Sequence, residues 1–280
     1  MPNTALITGS TSGIGKATAL ALAKKGWHII IHGRNQSSCL QTIAELKSLS
    51  NNPKIDFIHA DISDLKQVKN MADEIKQRFP QLNILINNAS TFSQSRKLTS
   101  DGLEQTWVVN YLSRFLLTNL LLSSLKANAP SRIIDVSGMY HAKGKIHFED
   151  INLKQGYTMN KANSQSKLAN VLFTYHLARQ LEGEQVTINT LHPGAVNTGS
   201  ILKAEGISAF AKMMYRMFSV FLKTPEQGAK TSVYLASSAE VEGVSGKYFV
   251  GSKAKRSSEE SYDLRLQEQL WEVSEGMVDI

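Results

Sequence analysis

Two lysine frames in the stretch GYTMNKANSQSKLANVLF, residues 156–173, have spacing suited to proton chemistry. Tyr157 and Lys161 stand four residues apart, and so do Asn163 and Lys167. On a helix that interval places both side chains on one face. An ammonium there lowers the pKa of a neighbouring phenol and prepares it to exchange a proton. An asparagine amide exchanges no proton near pH 7, although it still donates a hydrogen bond. A second motif, TGSTSGIGKA, runs from Thr8 to Ala17. Gly9, Gly13 and Gly15 permit a tight turn and close approach of the backbone to a pyrophosphate. The helix starting there aims unpaired N–H groups and its positive dipole end at the phosphates. The whole loop, with Ser10, Thr11, Ser12 and Ile14, is a candidate nucleotide cradle.

The elements that must position these groups follow a βαβ rhythm. Short, continuous, β-branched runs at 5–8, 28–32, 55–59, 84–87, 132–136, 187–191 and 247–250 read as strands covered on both faces. Amphipathic segments near 14–25, 36–50, 64–79, 102–127, 161–182 and 225–238 read as helices between them. The alternation predicts an α/β fold: a Rossmann-type, doubly wound parallel sheet in a single domain covering residues 1–280. Outside the rhythm lie a Met/Phe-rich segment, within a substrate-side lid at about 197–224, and a charged terminal helix at about 259–276. The second strand ends IIIHGRNQ. A site for NAD usually has an acid there for the ribose 2′-OH. Here Gly33 and Arg34 follow instead, with Asn35 next, so nothing repels a 2′-phosphate and Arg34 offers it a charged fork. NADP(H) is expected over NAD(H).

Composition narrows the classes. The formal net charge is +7, but the 31 Lys and Arg residues are scattered, and the densest group, Lys253, Lys255 and Arg256, adjoins Glu259 and Glu260. A solvated surface is expected rather than a nucleic-acid face. Cys39 is the sole cysteine, which excludes a disulfide framework and a cysteine zinc site, and no histidine cluster has metal-ligand spacing. No signal peptide is read at the amino terminus and no apolar run reaches the ~18–20 residues of a membrane span, so a cytoplasmic protein is expected.

Further motifs occur in order: HADISD (59–64), INNAS (86–90), VVNYLSRFLLT (108–118), RIIDVSG (132–138) and LHPGAVNT (191–198). With the glycine loop, their order and spacing resemble the short-chain dehydrogenase/reductase family, and SKLANVLF, GKIHFED and KTPEQGA resemble its retinol-dehydrogenase-like branch. The resemblance implies an oxidoreductase that transfers hydride between NADP(H) and a small hydrophobic alcohol or carbonyl compound. It places Asp61 and Ile62 at the adenine and Asn88 and Ala89 at the adenosine ribose. Pro193, Gly194, Val196 and Thr198 flank the nicotinamide carboxamide and phosphates. Asn110 matches the asparagine that holds a relay water for the lysine, which also binds the nicotinamide ribose. Ser90 stands where the family has glycine. The helices at 102–127 and 161–182 are those through which the family commonly forms homo-oligomers.

The anchor LHPG decides between the lysines. His192 follows Lys167 by 25 residues, which matches the family, and SKLAN abuts Lys167 rather than Lys161. Choosing Lys161 would move the pair about 9 Å along the helix at ~1.5 Å per residue, out of hydrogen-bond reach of the same carbonyl. Lys167 is then the family lysine, and the family tyrosine is Asn163. The family serine falls at Gly138, with Ser137 one place earlier and pointing to the opposite face if the strand continues. Three readings stay open. One is a reductase with a replacement acid, such as Tyr157, Tyr140 or His141, or with Ser137 twisted into the serine's place. The second is a catalytically inactive NADP(H)-binding regulator or scaffold. The third is hydride transfer to an activated C=C bond. The apolar pattern Ile207, Phe210, Ala211, Met214, Met217, Phe218, Phe221 and Leu222 suits a lid over a hydrophobic substrate.

Overall fold

The computed structural model describes residues 3–197 and 222–279. Its eight strands are β1 Thr4–Ile7, β2 His28–Gly33, β3 Ile55–His59, β4 Ile84–Asn87, β5 Ser131–Val136, β6 Val186–His192, β7 Tyr248–Val250 and β8 Lys253–Lys255. They form one sheet in the order β3-β2-β1-β4-β5-β6-β7-β8, parallel except for the β7–β8 pair. The helices are α1 Gly13–Ala23, α2 Gln36–Ser50, α3 Leu65–Arg78, α4 Gln105–Ala127, α5 Met159–Gln180, α6 Pro225–Ser237 and α7 Leu264–Val278. Every predicted strand and helix among the described residues is present, and the Rossmann-type α/β fold is as expected. Strand β8 was not anticipated. Three residues of alternating lysine and alanine carry no apolar strand signal, and β8 owes its place to backbone pairing with β7.

Alternation along the strands divides the core into two layers. Leu6, Ile30, Leu85, Ile133 and Ile188 face α3, α4, α5 and α7, with Trp107, Phe115 and Leu172 among their neighbours. Ala5, Ile7, Ile29, Ile31, Ile86 and Ile134 face α1, α2 and α6, with Leu22, Leu46 and Leu235. Both faces are apolar because both are covered, which is why the strands read as unbroken hydrophobic runs.

One expectation about membranes needs correction. The run Gln105–Ala127 is 23 residues long and contains an 18-residue window of mean hydropathy 1.2, so one helix among the described residues is long and apolar enough to cross a bilayer. Its apolar character is used inside the protein: Trp107, Tyr111, Phe115 and Leu121 are buried against the sheet and neighbouring helices. Its first turns widen into a π-helical segment at Val108–Leu112, which carries Asn110.

The terminal helix α7 begins at Leu264, after a 3-10 turn at Glu259–Tyr262, rather than continuously from 259. It lies across α4 and α5. Trp271 stacks on Phe173 at 5.9 Å and meets Phe115 edge-on at 4.9 Å, and Tyr111 Oη shares a hydrogen bond with Ser274 Oγ at 2.6 Å. The two helices that the resemblance assigns to subunit contacts therefore carry a helix of their own chain. Leu270, 1% exposed, anchors it. Leu270→Ala is expected to cost about 2–5 kcal/mol, measured as a lower urea midpoint with an unchanged slope.

Candidate active site

The strand order reverses at β1, whose neighbours are β2 on one side and β4 on the other. In open α/β sheets such a reversal leaves a crevice beyond the carboxyl ends of the strands. A cleft of about 610 Å³ opens there, where Thr11–Ile14, Gly33–Arg34, Asp61–Ser63, Asn88–Phe92, Ser137, Lys167 and Val196 meet. A larger groove of about 910 Å³ opens at the opposite ends of β5 and β6, away from these groups.

The glycine loop is shaped for an anion. Gly9 has φ +62°, and a Cβ there would lie 2.9 Å from Ala89 Cα. At Gly15 a Cβ would fall 2.5 Å from both Asn88 Nδ2 and Gly9 O. The Asn88 amide closes the loop by donating to Thr8 O at 2.9 Å and Gly9 O at 3.1 Å. Helices α2 to α7 all receive a side-chain cap at their amino ends: Asn35, Asp64, Glu104, Thr158, Thr224 and Asp263 accept from first-turn N–H groups. Helix α1 has none, and no acid in its first turn. Its orphan N–H groups and positive dipole end thus face the cleft, which fits a dinucleotide pyrophosphate.

The residues predicted to bind cofactor fall into three groups. Gly9, Thr11, Ser12, Gly13, Ile14, Arg34, Asp61, Ile62, Asn88, Ala89, Lys167, Pro193 and Val196 line the cleft. Gly15 and Gly194 act through the backbone: Gly194 has φ +95°, with Lys223 Nζ 2.7 Å from where a Cβ would stand. Ser10 and Asn35 turn their side chains elsewhere. Ser10 Oγ donates to Ile7 O at 2.7 Å and accepts from His32 N at 2.9 Å, and Asn35 is spent on the α2 cap. Thr198 lies outside the described residues, as does most of the expected lid; Leu222 from its end lines the cleft. Gly33 has a steric reason. A Cβ there would come within 2.5 Å of the Thr11 methyl and 3.1 Å of Cys39 Sγ, so a side chain at that position requires Thr11 to shift.

His32 is a positioning residue that the sequence reading missed. Its Nδ1 accepts from Gly9 N–H at 3.1 Å, so Nε2 carries the proton and donates to Ala60 O at 3.1 Å. Burial, partly offset by the bond to Ala60 and by Asp61, brings its pKa down to about 4 and keeps it neutral. The imidazole ties the glycine loop to the ends of β2 and β3. The available signal was a histidine inside the apolar run IIIHG, since a buried polar ring requires partners.

At the other end of the cleft stands Lys167, 7% exposed on α5. Its Nζ donates to Ser90 Oγ at 3.0 Å, and Ser90 Oγ donates to Asn110 Oδ1 at 3.1 Å. Asn110 is held on all sides. Its Oδ1 also accepts from Thr91 N at 2.7 Å, and its Nδ2 donates to Thr91 O at 3.0 Å and Ser166 Oγ at 3.2 Å. The Lys167 pKa is pulled down to about 7, first by burial and then by the Arg114 guanidinium, against the opposing pull of Asp135.

Among the suggested replacement acids, two are already engaged. Tyr157 Oη donates to Ser93 O at 3.0 Å, and burial raises its pKa. His141 accepts from Ser258 N at 3.2 Å, so its Nδ1–H donates to Gly138 O at 2.8 Å. Tyr140 is 44% exposed. Ser137 Oγ, considered as a stand-in for the serine, donates to Lys167 O at 2.9 Å. Gly138 faces the lysine stem: a Cβ there would make ordinary contact with Lys167 Cγ and Cδ at 3.8 Å. A serine would fit. Asn163 precedes Lys167 by one turn on α5, and its carbonyl accepts from Ser166 Oγ at 2.9 Å.

With this geometry in view, comparison with known proteins is specific. The family model for short chain dehydrogenases matches residues 3–205. The chain belongs to the short-chain dehydrogenase family. Within it, the chain falls in the retinol-dehydrogenase-like branch. It is 40% identical to human retinol dehydrogenase 14 over 99% of this chain and 86% of that protein. It is 38% identical to human polyprenol dehydrogenase, again over 99% and 86%. Among solved structures, an uncharacterized protein from Mycobacterium paratuberculosis superposes with a TM-score of 0.78 at 28% identity, covering 100% of this chain and 96% of that one. Members of this family are oxidoreductases with a nicotinamide cofactor, which is the chemistry the cleft accommodates.

The buried lysine gives a pH signature. Because its folded pKa lies below the ordinary value of 10.5, the unfolded chain holds more protons between about pH 7 and 10.5. Its contribution to stability therefore rises with pH across that window. In urea titrations the wild-type midpoint is expected to rise from pH 7 to pH 9.5 relative to Lys167→Met, which lacks the titrating group.

Proposed function

We propose that this protein is an NADP(H)-dependent oxidoreductase of a hydrophobic alcohol or carbonyl compound, working through a rewired proton relay. The observation that carries the reading is the convergence in one cleft of the uncapped α1 terminus, Arg34 and the Lys167 ammonium. The first suits a pyrophosphate, the second a 2′-phosphate and the third a nicotinamide ribose. When bound, the cofactor supplies or takes the hydride; the protein orients it and handles the proton. Gly33, crowded by Thr11, stands where the usual discriminating acid would be, and this supports the preference for NADP(H). Phe92, Val109 and Leu222 give the cleft an apolar wall, and the relatives described above are named as dehydrogenases of retinol and of polyprenol. A hydrophobic substrate for this chain accords with both.

The relay is rewired because Asn163 and Gly138 carry neither a phenol nor a hydroxyl. General acid–base catalysis by a placed group contributes about 10²–10⁴-fold, and one donor to a developing oxyanion about 10²–10³-fold. The same two positions favour a second reading, a cofactor-binding protein without turnover that reports NADP(H) levels or scaffolds a partner.

Two measurements test the proposal. Fluorescence titration is expected to show tighter binding of NADPH than NADH, with Arg34→Ala weakening NADPH about tenfold or more and leaving NADH little changed. In an assay with NADPH and long-chain aldehydes, wild type turns over slowly, and Gly138→Ser/Asn163→Tyr is expected to raise kcat by at least about 10²-fold. Tight NADPH binding with turnover only in the double variant would support the second reading. Absence of NADPH binding would defeat both.

A further inference from the structure

We propose that Ser90 is a catalytic residue of this site, a hydroxyl that passes a proton from the Lys167 ammonium to the substrate oxygen in place of the absent phenol. This rests on the reading of the protein as a working NADP(H)-dependent reductase.

The geometry that points to Ser90 is a process of elimination followed by a direct contact. Tyr157 and His141 spend their protons on the carbonyls of Ser93 and Gly138, Ser137 spends its own on the Lys167 carbonyl, and Tyr140 is not among the described residues that line the cleft. Ser90 is different. It is exposed, lines the cleft and touches the Lys167 ammonium itself at 3.0 Å. Its hydroxyl bridges the same two groups, Lys167 and Asn110, that a relay water would join. The hydroxyl is thus covalently fixed where solvent would otherwise be recruited.

Asn110 sets the direction of this bridge. Its amide nitrogen is committed to Thr91 O and Ser166 Oγ, so only the carbonyl oxygen faces Ser90. Ser90 must donate to it at rest, leaving an oxygen lone pair for the Lys167 N–H. Turning the O–H from Asn110 into the cleft presents a proton to a bound substrate without breaking the lysine contact.

The step balances. A carbonyl that receives a hydride at carbon moves its π pair onto oxygen. That oxygen takes the Ser90 proton as Ser90 takes one from Lys167. A C–H and an O–H bond form, one Lys167 N–H bond breaks, and the amine regains its proton from water. Serine alone is a poor acid, but here it gains a proton as it loses one and carries no charge. In the alcohol-oxidising direction every transfer reverses, and the neutral Lys167 amine is the acceptor. Arg114 from α4, Asp135 from β5 and His192 from β6 are the charged or titratable groups around the lysine. Arg114 favours proton release and Asp135 opposes it.

The test combines turnover with a readout on the cofactor-free protein. With NADPH and a long-chain aldehyde, Ser90→Ala is expected to lower kcat by about 10²-fold or more, Ser90→Thr to retain most of it, and Tyr157→Phe to change it little. NADPH affinity should hold in all three. In lysine-labelled apo protein followed by NMR, Ser90→Ala is expected to move the Lys167 titration to lower pH, because the ammonium loses an acceptor, and Ser90→Thr to restore it. Unchanged turnover in Ser90→Ala, or an unchanged Lys167 titration, would overturn the proposal while leaving the reductase reading intact. Wild-type protein that binds NADPH yet reduces nothing, with turnover appearing only in Asn163→Tyr/Gly138→Ser, would also overturn it. Failure to bind NADPH at all would remove the reductase reading and this step with it.

Discussion

A lysine ammonium buried at the end of a parallel sheet is costly unless partners meet it, and the active-site half of this molecule is arranged around that requirement. Lys167 is reached by the Ser90 hydroxyl, which Asn110 holds in turn. Behind it, Asp135 supplies opposite charge and Arg114 supplies like charge. Arg114 also donates to Ala89 O at 3.0 Å and Val136 O at 3.3 Å, fixing the ends of β4 and β5 on either side of the lysine. Asp135 accepts from Asn87 at 2.8 Å, and Asn87 donates to Thr118 at 2.9 Å. A polar network therefore runs from the cleft into the core between β4, β5 and α4. Burial, and after it the Arg114 charge, bring the Lys167 pKa down to about 7 against the opposing pull of Asp135.

The other half of the cleft is governed by close backbone approach. Three of its glycines exist because something else already fills the space a Cβ would need: Ala89 at Gly9, Asn88 at Gly15 and Thr11 at Gly33. His32 and Ser10 then brace the loop from beneath: the His32 ring accepts from Gly9 N–H, and Ser10 Oγ accepts from His32 N–H. The unassisted amino end of α1 is the complement of this bracing. A helix terminus left without a side-chain cap, when the others are capped, keeps its donors for a ligand. The glycine loop and the lysine are thus held by different means at the two ends of one crevice.

Much of this was legible in the sequence. Apolar runs gave the strands, the G-x-x-x-G-x-G loop gave the cradle, and the distance from Lys167 to His192 selected the lysine. Ser90 was visible only as a departure from a glycine, and its meaning came from the approach of α5 to the end of β4, 77 residues apart in the chain. Ser10 and Asn35 read as cofactor contacts because they adjoin residues that line the cleft, but neighbouring backbone positions direct side chains to different sides. Tyr157 was a candidate acid by type alone; its hydroxyl is taken by Ser93, 64 residues away. The apolar length of α4 went unread in the sequence, and burial against the sheet and neighbouring helices accounts for it.

The sequence by itself determined the fold class, the family and the identity of the motif positions, because periodicity, turn residues and motif spacing are local properties of the chain. The asparagine at 163 and the glycine at 138, which the family resemblance sets at the tyrosine and serine positions, were likewise read from the chain alone. Tertiary structure alone decided which remaining hydroxyl meets the lysine, and where that lysine's charge is balanced. Those outcomes depend on contacts between β4, β5, α4 and α5, segments far apart in the chain, and on the low-dielectric setting their packing creates.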